Sequence, residues 1–263
     1  MRILCVGDTH GDSAFWTRTV IPAAKREGVE MVLQLGDFGF WIHEYEGIKY
    51  MVRLNKELLA AGITLYWIDG NHENHVWLRQ LFLNYKGQPR PVQTLGSQLW
   101  HLPRGSVVEL GGKRFLACGG AFSIDKDRRI PGRSWWPEEM VSVEDVARCQ
   151  SRGKADILLS HDCPEGVAPK GEHAAMKECP ETAINRDRIT QVMRNARVSL
   201  VLHGHWHHYH DDVTIDGIRV VGLDCNTYPR GSMAILDTEA MSVTPVVHPH
   251  RGMAVGYFSD LVT

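Results

Sequence analysis

The chain has 263 residues, 43% hydrophobic and 23% charged, with 29 Lys plus Arg against 31 Asp plus Glu and a formal charge of -2. That balance excludes intrinsic disorder, which needs low hydrophobicity and high net charge, and excludes bulk attraction to double-stranded DNA. Six cysteines without a Cys-x-x-Cys pair exclude thiolate-cluster spacing and read as mostly buried thiols of a reducing, cytoplasmic compartment.

The first apolar run, Arg2 to Val6, meets Asp8 before a signal-peptide hydrophobic region forms, and no apolar run approaches the roughly 18 residues of a membrane span. No membrane association is expected. RILCV at 2–6 reads as a buried strand that delivers its next residues to a loop. The pattern recurs in MVLQL at 31–35 before Gly36-Asp37, TLYWI at 64–68 before Gly70-Asn71-His72, DILLS at 156–160 before His161-Asp162, and SLVLH at 199–203 before Gly204-His205. Helical spacing lies between them. It covers 13–27 (Phe15, Trp16, Thr19, Val20, Ala23, Ala24), 46–61 (Ile48, Met51, Val52, Leu58, Leu59) and 184–196. Such alternation predicts parallel strands covered by helices, with ligands bound beyond the strands' carboxyl ends.

From residue 92 the texture changes. VVEL-GG-KRFLAC at 107–118 and VTI-DG-IRVV at 213–221 predict hairpins, and 233–246 predicts another antiparallel pair. The expected fold class is α/β, two packed sheets with helices outside, in one domain over 1–263. DKDRRIPGRSWWPEEM at 125–140 is an irregular stretch ending where Ser142 and Asp145 have capping-box spacing. It reads either as a connector with its Trp pair folded onto the body or as a substrate lid, in which Trp135 and Trp136 stack a base while Arg128, Arg129 and Arg133 hold a phosphate.

The strand ends carry Asp8, His10, Asp37, Asn71, His72, His161, His205 and His207, all oxygen or imidazole groups and no thiol. Any one of them alone is more readily a cap, turn or core residue; five successive strand ends so equipped point to metal binding. The donors suit Mn, Fe, Zn or Co, and their number exceeds one tetrahedral ion and fits two ions sharing a carboxylate. His208 and His210 have no role in this set and read as solvent-facing.

In order, Asp8-Thr9-His10, Gly36-Asp37, Gly70-Asn71-His72-Glu73, His161 in Ser-His-Asp, and Gly204-His205-Trp206-His207 resemble the five signature blocks of calcineurin-like metallophosphoesterases. The resemblance implies a four-layer α/β/β/α sandwich of two mixed sheets. It makes Asp8, His10, Asp37 and His207 ligands of one metal and Asp37, Asn71, His161 and His205 ligands of the other, with Asp37 bridging. It implies His72 as proton donor to the leaving oxygen, Glu73 as a residue fixing the loop, and two divalent ions, Mn favoured with Fe, Zn, Co or Ni as alternatives.

The family's protein phosphatases carry Gly-Asp-x-x-Asp-Arg-Gly and an Arg before Gly-Asn-His-Glu; here Phe40, Trp41 and Asp69 stand at those places. The absent arginines favour a phosphodiesterase over a phosphomonoesterase. The stretches LGGKRFLACGGAFSIDKDRR and DILLSHDCPEGV resemble the RNA lariat-debranching branch, with Asp8 where those enzymes carry Cys, and small bacterial and phage phosphodiesterases of cyclic nucleotides. The expected partner is a nucleotide such as 2',3'-cyclic AMP, or a short RNA. Alternatives are a phosphomonoesterase of the same superfamily and a noncatalytic scaffold.

Overall fold

The computed structural model describes residues 1–84, 87–168 and 179–249; the end of the expected 1–263 domain lies outside them. In chain order the strands are β1 (Arg2–Val6), β2 (Met31–Gln34), β3 (Thr64–Trp67), β4 (Val92–Gln93), β5 (Leu99–His101), β6 (Val107–Leu110) and β7 (Lys113–Cys118). They continue with β8 (Ile157–Ser160), β9 (Leu200–His203), β10 (His210–Val213), β11 (Arg219–Gly222), β12 (Met233–Asp237) and β13 (Ser242–Pro245). One sheet has the order β13-β12-β1-β2-β3-β5-β4 and the other β10-β11-β9-β8-β7-β6.

Side-chain alternation builds the layers. Ile3 and Cys5 of β1 face the second sheet and join Ile157 and Leu159 of β8 and Leu200 and Leu202 of β9 in the central core. Leu4 and Val6 face the other way, into a core with Phe15, Trp16 and Met51. On the far side, Leu158 and Val201 pack against Ile189, Val192 and Met193. Strands buried on both faces explain why the sequence shows continuous apolar runs there rather than alternation. The result is helix, sheet, sheet, helix, as expected.

Helical structure from α1 (Ser13–Phe15) passes through a π-turn (Trp16–Val20) into α2 (Ile21–Glu27). Asp12 caps it by accepting from Phe15 N at 2.9 Å. α3 (Tyr45–Ala61) forms as expected, but its inner face differs: Gly47, Tyr50, Met51, Leu54 and Leu58 are buried, whereas Ile48, Val52 and Leu59 are exposed. The apolar residues lie on two arcs, and the inner one carries Gly47, where a Cβ would collide with the Trp41 carbonyl. α4 (His75–Asn84) was not legible, because its apolar residues surround the helix and only His75 and Leu78 are buried. α5 (Val143–Gln150) begins with the expected Ser142–Asp145 capping box. α6 (Pro180–Ala196) starts earlier than the periodicity indicated, at a Pro suited to a first helical position. All three expected hairpins form.

Leu159 lies between the sheets. Leu159→Ala is expected to lower the unfolding free energy of metal-free protein by about 2–5 kcal/mol in urea melts; a loss below about 1 kcal/mol would contradict tight packing between the sheets.

Candidate metal centre

β1, β2 and β3 run parallel in one sheet, β8 and β9 in the other, and their carboxyl ends share one rim. Asp8 and His10 follow β1, Asp37 follows β2, Asn71 and His72 follow β3, His161 follows β8, and His205 and His207 follow β9. Four of these residues adopt left-handed backbone: His10 (φ 47°), Asp37 (52°), His205 (66°) and His207 (49°). Non-glycine residues seldom do so, and they cluster at sites whose surroundings impose the geometry. The turns bring the donors inward.

Ligand atoms of Asp8, His10 and His207 lie within 4.8 Å of one another, as do those of Asp8, Asp37 and His161. His10 Nε2 faces His207 Nε2 at 3.3 Å, and His207 Nε2 is 3.1 Å from Asp8 Oδ2. Asp37 lies between the groups, with Oδ2 3.9 Å from His10 Nδ1 and Oδ1 3.4 Å from His161 Nε2. Asn71 Oδ1 is 3.2 Å from the same His161 nitrogen. His161 Nδ1 donates to the Leu35 carbonyl at 2.6 Å, which fixes the tautomer and turns Nε2 toward the carboxylates. His205 is buried, its ring 5.1 Å from that of His161, and its backbone N–H donates to Asp8 at 3.1 Å. Facing imidazole nitrogens around buried carboxylates, without a thiol, form a donor set that fits divalent cations. Asp8 belongs to both geometric groups, and Asp37 touches both.

Electrostatics agree. Burial lowers His10 to about 4 despite Asp37 and Asp8. Burial also opposes charge on His161 and His207, but Asp37 and Asp8 hold His161 up at about 9, and hydrogen bonding to Asp8 holds His207 up at about 10. Burial opposes ionisation of Asp37, yet His161 and His72 keep it well below the usual carboxylate range. Without a metal, two protonated imidazoles thus balance the carboxylates.

The rim is braced from outside. Glu73 accepts from Gly39 N at 2.9 Å and Gly70 N at 2.5 Å, and burial pushes its carboxyl up to about 8. It ties two loops together, the role the resemblance implied. Trp41 Nε1 donates to the His72 carbonyl at 2.8 Å. Asp69 is turned away from the rim onto Arg104, at 2.7 Å, and Phe40 is buried in the helix-side core. Arg104, Ser123 and Glu139 were not foreseeable from the motifs, because each is remote from them along the chain. Ser123 receives a hydrogen bond from Asn71 at 3.0 Å, and Glu139 accepts from Ser123.

The 125–140 stretch divides. Arg129 is buried, with Nη2 2.6 Å from His72 Nε2 and Nε 2.8 Å from Asp125. Burial and this guanidinium push the His72 imidazole well below its usual pKa. Arg128 and Arg133 are exposed and Trp135 half-buried. Trp136 is 4% exposed against Trp41 and His75. Its indole, expected to stack a base, is packed within the body here. His210 also differs from expectation: it is buried, 2.8 Å from His203 and 2.9 Å from Asp212, because β10 turns its first side chain inward. Cys5, Cys118, Cys149, Cys163 and Cys225 are buried thiols, and Cys179 is partly exposed. Among the described residues no helix is long and apolar enough to cross a membrane.

A family model described as calcineurin-like phosphoesterase matches residues 1–209. The chain is 28% identical over 195 residues to a lariat debranching enzyme of Schizosaccharomyces pombe, an alignment covering 67% of this chain and 40% of that protein. Solved structures share the fold. TT1561 of Thermus thermophilus superposes with TM-score 0.59 at 13% identity, covering 94% of this chain and 98% of that one. A dimetal phosphatase from Danio rerio gives TM-score 0.55 at 14% identity, covering 89% and 91%.

A Cβ at Gly204 would collide with Asp8 Oδ1. Gly204→Ala is therefore expected to displace Asp8 and weaken Mn binding by about 10- to 100-fold in equilibrium titration; unchanged binding would remove Asp8 from the centre. Loading metal-free protein with Mn at pH 7 is expected to release protons from His161 and His207, since ligation needs neutral imidazole. Calorimetry in buffers of different ionisation enthalpy should show that release shrinking as pH rises through about 9 to about 10; release independent of pH would contradict the charge balance.

Proposed function

This chain belongs to the calcineurin-like phosphoesterase family, and on that premise we propose that it is a two-metal phosphodiesterase acting on nucleotide diesters, cyclic nucleotides or short RNA. The observation that carries the reading is the meeting of Asp8, His10 and His207 with Asp37 and His161 at one rim. Asp8, His10, Asp37 and His207 would hold one cation, and Asp37, Asn71, His161 and His205 the other. When bound there, two such ions would neutralise nonbridging phosphate oxygens and would make a water nucleophilic near neutral pH.

The chain's own groups supply the remaining steps. The His72 backbone N–H donates to Asp37 Oδ1 at 2.8 Å, and its ring edge lies 4.0 Å from Asp37 Oδ2. That placement suits proton delivery to a leaving oxygen. Arg129 lies against the His72 ring, where it disfavours the protonated form; a substrate phosphate that draws the guanidinium away would let His72 carry the proton it donates. Arg129 then serves as the phosphate clamp and Trp41 keeps the His72 loop in place.

Diester chemistry is favoured by charge. Phe40 and Trp41 add no cation, and the Asp69 position is engaged with Arg104. Arg129 supplies one guanidinium, itself paired with Asp125, which matches one phosphate negative charge better than two. The name of the Schizosaccharomyces pombe relative, a lariat debranching enzyme, supports a nucleic-acid diester. The second reading is a phosphomonoesterase of the same family.

The test is a side-by-side assay of Mn-reconstituted protein on 2',3'-cyclic AMP, 3',5'-cyclic AMP, a short RNA, bis-p-nitrophenyl phosphate and p-nitrophenyl phosphate. Preference for diesters, lost in Asp37→Ala, is expected; preference for the monoester would establish the second reading. His72→Gln should retain metal and lose about 100-fold or more in kcat on alkoxide-leaving diesters, with a smaller loss on the nitrophenyl diester. Equal losses on both would remove His72 from proton transfer. Arg129→Met should raise KM for nucleotide diesters about tenfold or more.

A further inference from the structure

We propose that Glu139, acting through Ser123, is a positioning residue that fixes which end of the Asn71 side-chain amide faces the second cation. The inference rests on the two-metal reading above. An asparagine ligand must present Oδ1 to a cation, yet its amide has two ends of nearly equal shape and opposite polarity. Something must decide between them.

The decision is made by donor arithmetic. Glu139 is buried, and burial pushes its carboxyl up to about 7; above that pH the carboxylate can only accept, Oε1 from Ser123 N at 2.6 Å and Oε2 from Ser123 Oγ at 2.7 Å. A serine hydroxyl has one proton, which Glu139 takes. Ser123 Oγ must then accept from its other neighbour, the Asn71 side chain, so Asn71 Nδ2 points to it at 3.0 Å and Oδ1 points to the rim beside His161. The flipped amide would set two acceptor oxygens against each other in a buried site, a costly arrangement.

Glu139 is itself held in register. Arg104 donates to the carbonyls of Glu138, Glu139 and Met140 at 3.0, 2.9 and 2.7 Å, while its Nε donates to Asp69 at 2.8 Å, near the end of β3. Gly120 N also donates to the Asp69 carbonyl at 2.8 Å. The segment carrying Ser123 therefore leaves β7 tied to the base of the loop that carries Asn71. Polarity and position are set by residues outside the five signature blocks.

Glu139→Gln keeps the shape but replaces one acceptor with an amide donor, which can donate to Ser123 Oγ and free the hydroxyl proton toward Asn71. Ser123→Ala removes the acceptor. The experiment is Mn titration followed by electron paramagnetic resonance of free Mn at pH 8, on wild type, Glu139→Gln, Ser123→Ala, their double variant and Ser123→Thr. Urea midpoints in chelator report on folding. Wild type should bind two equivalents. Glu139→Gln and Ser123→Ala should each keep the first within about twofold and weaken the second about tenfold or more. The double variant should be no worse than Ser123→Ala alone, because both act through one chain, and Ser123→Thr, which keeps the hydroxyl, should recover the second equivalent. Wild-type binding by the variants, or equal weakening of both equivalents, would overturn the proposal. A wild type without a second equivalent would overturn the two-metal reading and this proposal together.

Discussion

The carboxylates of Asp8 and Asp37 are buried close together at the rim where two sheets meet, and isolated ionised carboxylates in such surroundings are strongly unfavourable. The surrounding architecture answers that constraint. His161 and His207 carry positive charge toward the carboxylates without metal, and Asn71, His10 and His205 add donors suited to a cation. The same arrangement that makes the metal-free site tolerable makes cation binding a displacement of protons. This links the site to pH as well as to metal supply.

The sheets explain how so many donors reach one point. Parallel strands deliver successive loops to the same edge, and packing two such edges doubles the number available. Close backbone approach completes the convergence: Gly204 leaves room for Asp8, and a Cβ at Gly70 would collide with Asp37 Oδ1. The left-handed turns at His10, Asp37, His205 and His207 then aim side chains that an extended continuation would carry past the rim. Behind them, Glu73, Arg104 and Glu139 hold the loops to one another, so the precision of the site depends on polar contacts away from the donors.

Much of this was legible in the sequence, and the reason is physical. Strands buried on both faces appear as short apolar runs, and the polar residues ending them, such as Asp37 after β2 and His161 after β8, mark one edge of the fold. Gly111-Gly112 announced the β6–β7 hairpin and forms its two-residue turn, whereas Asp216-Gly217 announced the β10–β11 hairpin but lies in a three-residue turn. Less was legible where periodicity is blurred or contacts are long-range. The inner face of α3 includes Gly47, packed against Trp41 too closely for a side chain, and α4 has apolar residues all around. The pairing of Asp69 with Arg104, the carboxylate of Glu139 on Ser123 and the burial of Trp136 arise only when distant segments meet. Arg129 was readable as a basic residue in an irregular stretch, but its place beside His72 was a property of the folded loop.

If Asp8 and Asp37 organise a pair of divalent cations, anomalous X-ray diffraction from crystals grown with Mn will show it without recourse to activity. Two Mn peaks are expected, one beside Asp8, His10 and His207 and one beside Asn71, His161 and His205, with Asp37 touching both. A single peak, or peaks away from these residues, would contradict a centre built on these two carboxylates.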